Sequence, residues 1–264
     1  MQSRHTDRKR YFDELARTSA EFYISYLKAW KEIGPGCRIL EIGCGEGGNL
    51  LPFAQEGCDV AGLDLAAGKI DNAGKFFEMN GAAGKFACAD FLKSEPFLED
   101  GLFDIILIHD VIEHIEPEGK DAFFSRLKMY LKPDGIVFFA FPAWQMPFGG
   151  HQQVCRSRVC SKVPFVHVLP VCVYKAWLKM FGEQEDKVDE LLSIKRSRMT
   201  PEKFEKLCAG HGYAILDRIF WFISPHYKAK FGLTPRRLWR PLAHLPYLRN
   251  WFTTSCFYII RISR

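Results

Sequence analysis

Short, almost uninterrupted apolar runs alternate along the chain with longer stretches whose apolar residues recur at helical spacing. Arg38–Ile42, Val60–Leu65, Lys85–Asp90, Phe103–Ile108 and Ile136–Phe141 read as five strands, the fourth (FDIILI) continuous in hydrophobicity as a strand covered on both faces should be. Between them, Asn49–Glu56, Ile70–Asn80 and Lys120–Leu131 read as helices, with Pro133-Asp134-Gly135 as the turn after the last. Before the first strand, residues 11–31 carry Leu15, Phe22, Leu27 and Trp30 on one amphipathic helix, ended by Gly34-Pro35-Gly36. Strands and helices in this rhythm predict a doubly wound α/β sheet with right-handed crossovers.

The rhythm breaks at residues 143–199, which hold Pro- and Gly-rich loops and two helices, near Val171–Phe181 and Glu185–Ile194. It resumes with Thr200-Pro201, an N-cap followed by a first-turn proline, opening a helix to Gly210. Tyr213–Phe222 is the sixth strand and Ser255–Ile262 the last. Both irregular stretches, 143–199 and 224–252, leave from strand carboxyl ends, where ligands bind in such folds. They are expected to form a lid and substrate wall on one domain, 1–264, with the helix of 11–33 folding over the cofactor.

The loop EIGCGEGG, Glu41–Gly48, fits two fingerprints, because Gly43, Gly45 and Gly48 spell G-x-G-x-x-G while Gly43, Gly45 and Gly47 spell G-x-G-x-G. A pyrophosphate loop presents amides and a helix N-terminus and avoids carboxylates. Glu41 and Glu46 would repel a diphosphate by on the order of a few kcal/mol and suit a cationic ligand such as a sulfonium amino acid. Glu41 would act on the ligand's ammonium or brace the loop. Asp64, ending the second strand, is placed for ribose hydroxyls, Leu65 for packing on adenine, and Asp90 with the Phe91 amide for the adenine edge. As the competing reading, Glu41 would merely cap neighbouring amides and Asp90 would cap a turn.

These motifs resemble the class I S-adenosylmethionine-dependent methyltransferases, in particular the small-molecule group that includes quinone-biosynthesis enzymes. The resemblance rests on ILEIGCGEGG (39–48), GLDL (62–65), CADFL (88–92), FDIILIHDVIEHI (103–115) and LKPDGIVFFAFP (131–142), in the family's order. It implies a seven-stranded Rossmann-like sheet with an antiparallel last strand, and S-adenosyl-L-methionine as cofactor, leaving S-adenosyl-L-homocysteine. It implies cofactor contacts at Glu41, Gly43, Cys44, Gly45, Asp64, Leu65, Asp90, Phe91 and His109. In some relatives an acid followed by x-x-Glu-His holds a divalent metal. Asp110, Glu113 and His114 match that spacing, but bracing of the loop is the expectation and no metal is assigned.

Methyl transfer to oxygen needs an aligned acceptor and a proton sink. His151, behind Gly149-Gly150 in FPAWQMPFGGHQQ, is the expected catalytic base, because imidazole titrates near neutrality. A plain surface-loop histidine is the competing reading, and His167 and His226 are the other loop imidazoles considered.

Composition changes the picture at two points. Nine scattered cysteines without C-x-x-C read as reduced thiols, and MQSRHTDRKR has no apolar stretch behind it, so a cytoplasmic protein without signal peptide is expected. The net charge of +5 is uneven: residues 1–217 hold 27 basic against 31 acidic residues, whereas nine Lys and Arg, eleven aromatics and no acid follow Asp217. That basic aromatic segment could serve an anionic substrate, a phospholipid surface or RNA, or be a solvated face with its rings turned inward. The apolar stretch 163–181 is expected to pack as a lid, with dipping into a membrane interface as the alternative. The expected acceptor is a small aromatic, lipid-like or anionic molecule. RNA or protein methylation, an NAD-dependent dehydrogenase and a non-catalytic cofactor-binding protein are the competing readings. No nucleic acid is expected, since no appended nucleic-acid module is seen.

Overall fold

The computed structural model describes residues 7–263; residues 1–6, the start of MQSRHTDRKR, and Arg264 lie outside them. Five strands, β1 (Arg38–Ile42), β2 (Asp59–Asp64), β3 (Lys85–Cys88), β4 (Phe103–His109) and β5 (Leu131–Phe141), pair in parallel. Beyond β5 the sheet continues with β8 (Ser255–Ile262), antiparallel, then β6 (Tyr213–Ile223) and the two-residue β7 (Arg236–Arg237). The order is β3-β2-β1-β4-β5-β8-β6-β7. The antiparallel last strand is as expected, but the sheet has eight strands and not seven. The extra one, β7, is too short to leave a periodic signal.

Alternate residues of the strands feed two cores, as a pleat dictates. Ile106, Ile108, Val137 and Phe139 face one side, packing on α5 (Lys120–Tyr130) and α8 (Pro201–Gly210) through Phe123, Phe124, Leu127 and Phe204. Ile39, Ile105, Leu107 and Phe138 face the other, packing on α1 (Arg8–Thr18), α2 (Ile24–Lys28), α3 (Leu51–Gln55) and α4 (Ala67–Met79). Two features differ from the expectation. The turn at Pro133–Gly135 lies inside β5, as an irregularity between the pairs Phe103↔Leu131 and Ile105↔Ile136. The first helix passes through a π-helical turn, Ser19–Tyr23, between α1 and α2. There the Ser19 hydroxyl donates to the Asn49 carbonyl of the glycine loop, 2.7 Å away.

Residues 143–199 form a satellite with its own core, in which α6 (Val171–Met180) and α7 (Glu185–Ser197) meet Trp144, Cys155, Cys160 and Val166. The second stretch, between β6 and β8, holds α9 (His226–Phe231), β7 and α10 (Arg240–Ala243). All nine cysteines are free thiols, seven of them buried. No helix among the described residues is long and apolar enough to cross a membrane.

β2 lies so close to the glycine loop that a Cβ on Gly62 would sit 2.7 Å from the Cys44 sulfur. Gly62→Ala is expected to cost about 1–3 kcal/mol through overpacking. A thermal melt should show Tm lowered by roughly 2–4 °C per kcal/mol, and Cys44→Ala in the same chain should restore part of it.

Candidate functional site

A cavity of about 640 Å³ opens at the carboxyl ends of β1 to β4. Its walls come from the residues after each strand: Gly43 after β1, Leu65 after β2, Ala89 to Leu92 after β3, and Asp110 and Val111 after β4. Gly43 is required there, because φ is +74° and a Cβ would lie 2.4 Å from the Val111 side chain. Five carboxylates line the space, Asp64, Asp90, Asp110, Glu116 and Glu190, against one lysine, Lys69. Such a lining favours a cationic ligand over a diphosphate. Glu190 belongs to α7, so the satellite reaches the cavity wall.

Of the residues expected to touch the cofactor, Gly43, Asp64, Leu65, Asp90 and Phe91 line the cavity. Asp64 is tied to the loop: its carboxylate accepts from the amides of Gly45 at 3.0 Å and Ala66 at 2.9 Å, with the Lys69 ammonium 3.5 Å away. Asp90 accepts from the Leu92 amide, and the hydrogen-bonded Lys93 ammonium holds its carboxyl below the usual range. The Leu65 side chain, 72% exposed, is free to cover a flat ring.

Glu41, Cys44, Gly45 and His109 are not among the lining residues. Glu41 is buried, accepts from the Asn49 amide nitrogen at 2.7 Å, and burial pushes its pKa up to about 8. This bond ties β1 to the end of the glycine loop. The Cys44 thiol packs against Gly62, and its amide already donates to the Leu63 carbonyl. Glu46 is also buried, 3.5 Å from Arg8 of α1. The acidic character assigned to Glu41 and Glu46 therefore resides in other residues, those after the strands and on α7.

Beyond the cavity's inner wall stands a cluster of titratable groups. Asp110 occupies the left-handed region (φ +52°), uncommon for a residue with a side chain. Burial would raise its pKa, but the imidazoles of His109, His151, His226 and His114 outweigh it and hold it low. His151 follows a pair of glycines that nothing larger could replace. A Cβ on Gly149 would lie 2.2 Å from the Trp144 carbonyl oxygen, and one on Gly150 2.2 Å from the His167 Cβ. The turn delivers His151 Nε2 to 3.4 Å from Glu113 Oε1, with the His114 ring edge-on at 4.9 Å. Burial disfavours the charged His151 ring, yet Glu113, then Asp110 and Glu190, raise its pKa above the ordinary 6.5. Desolvation among its neighbours lowers the pKa of His114, although its side chain keeps contact with solvent, and His151 adds to that.

Glu113 is buried with neither oxygen hydrogen-bonded, and the donor atoms of Glu113, His114 and His151 lie within 4.8 Å of one another. These three could hold a divalent ion; Asp110, which the spacing also suggested, is not among them. His167 is a packing residue instead. Fully buried, it bonds the Trp144 carbonyl at 2.8 Å, and burial lowers its pKa to about 4. His226 packs edge-on to Tyr11 and His109, closing the N-terminal helix over that side.

Sequence reasoning missed Lys120. Its buried ammonium donates to the carbonyls of Ile112 and Ile115, both at 2.7 Å, and to the Ser197 hydroxyl at 3.0 Å. A lysine opening a predicted helix carries no signal of such burial.

Residues 39–135 match the family model described as a methyltransferase domain. Over 102 residues the chain is 34% identical to a ubiquinone biosynthesis O-methyltransferase of Bradyrhizobium sp. (strain ORS 278), covering 39% of this chain and 38% of that one. It is 36% identical over 112 residues to phosphoethanolamine N-methyltransferase 3 of Arabidopsis thaliana, covering 40% and 21%. The chain thus spans well under half the length of these curated relatives. A solved S-adenosylmethionine-dependent methyltransferase of Clostridium acetobutylicum ATCC 824 superposes with a TM-score of 0.61 at 13% identity, over 98% of this chain and 99% of that one. Magnesium protoporphyrin IX methyltransferase of Synechocystis PCC 6803, with bound S-adenosylhomocysteine, superposes at 0.56 and 16%, over 98% and 94%. The match over residues 39–135, these partial likenesses and the strand order agree with the resemblance to the class I S-adenosylmethionine-dependent methyltransferases, and the solved structures share the Rossmann-like methyltransferase fold.

Proposed function

We propose that the protein transfers a methyl group from S-adenosylmethionine to an oxygen of a small aromatic, lipid-like or anionic acceptor, with His151 taking the acceptor's proton. The observation that carries this reading is the pairing of His151 with Glu113 beside an acidic cavity at the strand ends. The curated relatives methylate both oxygen and nitrogen by name, so the acceptor atom is argued from this chain's own groups.

The residues present suit the cofactor. Asp64, held by loop amides, would take the ribose hydroxyls, and Asp90 with the Phe91 backbone would meet the adenine; all three line the cavity. Asp110 and the acidic wall offset a positive charge. When bound, S-adenosylmethionine supplies an activated methyl on a sulfonium. The protein's own work is to align the acceptor oxygen, exclude water and remove its proton. Helix α1 with the π-turn covers the glycine loop, and the satellite, through Glu190, acts as the lid. His151, neutral and oriented by Glu113, accepts the proton; the resulting imidazolium is stabilised by Glu113 and Asp110.

Isothermal titration is expected to show micromolar binding of S-adenosylmethionine and S-adenosylhomocysteine and none of NAD(P); tight NAD binding would refute the reading. Asp64→Ala should weaken binding by about tenfold or more, and unchanged affinity would remove Asp64 from the ribose site.

Labelled methyl transfer into lipid, small-polar and RNA fractions of a cell extract should mark the lipid or small-polar pool; label in RNA alone would favour the nucleic-acid alternative. With that acceptor, His151→Ala should lower kcat by about 10²–10⁴-fold without changing S-adenosylhomocysteine affinity. Because the base works neutral and its pKa is raised, the rate should climb with pH through a midpoint above 6.5. Glu113→Gln removes the partner that raises it, so the midpoint should move to lower pH. Loss of activity on chelation, restored by a divalent ion, would reassign Glu113, His114 and His151 to metal binding.

A further inference from the structure

The segment between β6 and β8 presents large apolar side chains outward in a way that is built, not frayed. Leu245, Tyr247 and Leu248 are exposed, Tyr247 by 66%. Directly beneath them lies a buried polar anchor. Arg249, 3% exposed, pairs with Glu202 at 3.1 Å and Glu205 at 3.4 Å and lies over the Phe220 ring. Asn250 donates to the other oxygen of Glu202, and the Tyr247 amide donates to the first. This network fixes the backbone of 247–250 to α8. Leu245, Tyr247, Leu248, Trp251 and Phe252 are thereby left facing solvent while polar residues fill the interior. The Trp251 ring meets Phe165 of the satellite at 5.8 Å, so the apolar surface continues onto the neighbouring insertion, where Val168 and Leu169 are also exposed.

The segment that carries the surface brings positive charge and no acid of its own. Residues 218–263 contain no Asp or Glu. Arg236 and Arg237 on the edge strand β7, and Arg240 opening α10, are exposed and have no carboxylate within ion-pairing distance among the described residues. Trp239 beside them is 73% exposed. Two arginines on a short edge strand also serve to block edge pairing, but that role does not account for the exposed Trp239, Tyr247, Leu248 and Trp251.

We propose that this face docks on an anionic phospholipid surface. Trp and Tyr place an apolar ring with a polar tip at the headgroup boundary, Leu and Phe enter the acyl edge, and unpaired arginines meet the lipid phosphates. A second copy of the chain fits less well, because a two-fold contact would bring the arginines of both copies together with no carboxylate on this segment to offset them. β5 and β6 run parallel, so both insertions stand at the sheet edge where the cavity opens. The docked protein therefore presents its methyl-transfer end toward the lipid. That part of the inference rests on the function proposed above and makes the acceptor one that partitions into the bilayer.

The deciding experiment is co-sedimentation of the full chain with vesicles of phosphatidylcholine alone or mixed equally with phosphatidylglycerol. S-adenosylhomocysteine binding is measured on the same preparations. Binding is expected to the mixed vesicles, to fall with added salt, and to be weak on phosphatidylcholine. R236Q/R240Q should reduce it by roughly tenfold or more. L248S/W251S should abolish it, with Tm and S-adenosylhomocysteine affinity unchanged in both variants. Absence of vesicle binding, or binding indifferent to lipid charge and to both variants, overturns the docking face. So does concentration-dependent dimerisation in sedimentation velocity that L248S/W251S removes. Cofactor binding that survives any of these outcomes separates failure of the lipid inference from failure of the methyltransferase reading.

Discussion

One buried ammonium holds the site together. Lys120 reaches back from the start of α5 to two carbonyls of the loop that follows β4, and across to Ser197 at the end of α7. Burying an ammonium is costly unless it is fully hydrogen-bonded, and here three acceptors meet three donors. Burial nonetheless lowers its pKa to about 8, with Glu113 opposing the shift. The loop so fixed carries Glu113 and His114, and the helix so fixed carries Glu190. The position of the satellite over the cavity and the spacing of the titratable cluster thus share one fastening. Lys195 repeats the device within the satellite, donating to the carbonyls of His167 and Leu169.

The sheet was legible because its signals are local. Strands buried on both faces, such as β4, are apolar almost throughout, and α8 carries its own cap, Thr200 accepting from the Lys203 amide. The antiparallel β8 followed from the resemblance, since nothing in SCFYIIRI states its direction. What failed were features with no periodicity to read. β7 is two residues long, β5 runs through a proline and glycine that signalled its start, and the π-turn at Ser19–Tyr23 is spelled like ordinary helix. Tertiary contacts explain two of these: β7 exists only through its pairing with β6, and the π-turn coincides with the Ser19 bond to Asn49.

The candidate site was legible in a more instructive way. The cavity has the acidic character inferred from EIGCGEGG, and the expected Asp64 and Asp90 line it, whereas Glu41 and Glu46 of the loop do not. Glu41 is turned inward to Asn49, while the carboxylates lining the cavity are Asp64, Asp90, Asp110, Glu116 and Glu190. Three of these stand at or just after strand ends and were visible in the sequence as such. Glu190 was not, because only the folded satellite brings it there. The pairing of His151 with Glu113 is likewise non-local. A glycine pair before a histidine suggests a tight turn, but only the packing against Trp144 and His167 shows where the ring is delivered.

Charge is segregated along one edge of the molecule. The cavity is walled by carboxylates, and the outer face of the second insertion carries basic, aromatic and aliphatic side chains and no acid of its own. A cationic cofactor and an anionic surface would each compete for the wrong place if these fields overlapped within a Debye length, about 8–10 Å at physiological salt. The segregation is maintained by the same residues that anchor the outer face. Glu202 and Glu205, on the helix beneath that segment, are engaged by Arg249, Asn250, Arg218 and Tyr258. Their charge is therefore used internally, in shaping the backbone of 247–250, and does not cancel the arginines outside. A fold whose matched family core accounts for residues 39–135 has thus placed its individuality in the two insertions. One brings His151 to Glu113 and Glu190 to the cavity wall, and the other presents a basic aromatic face.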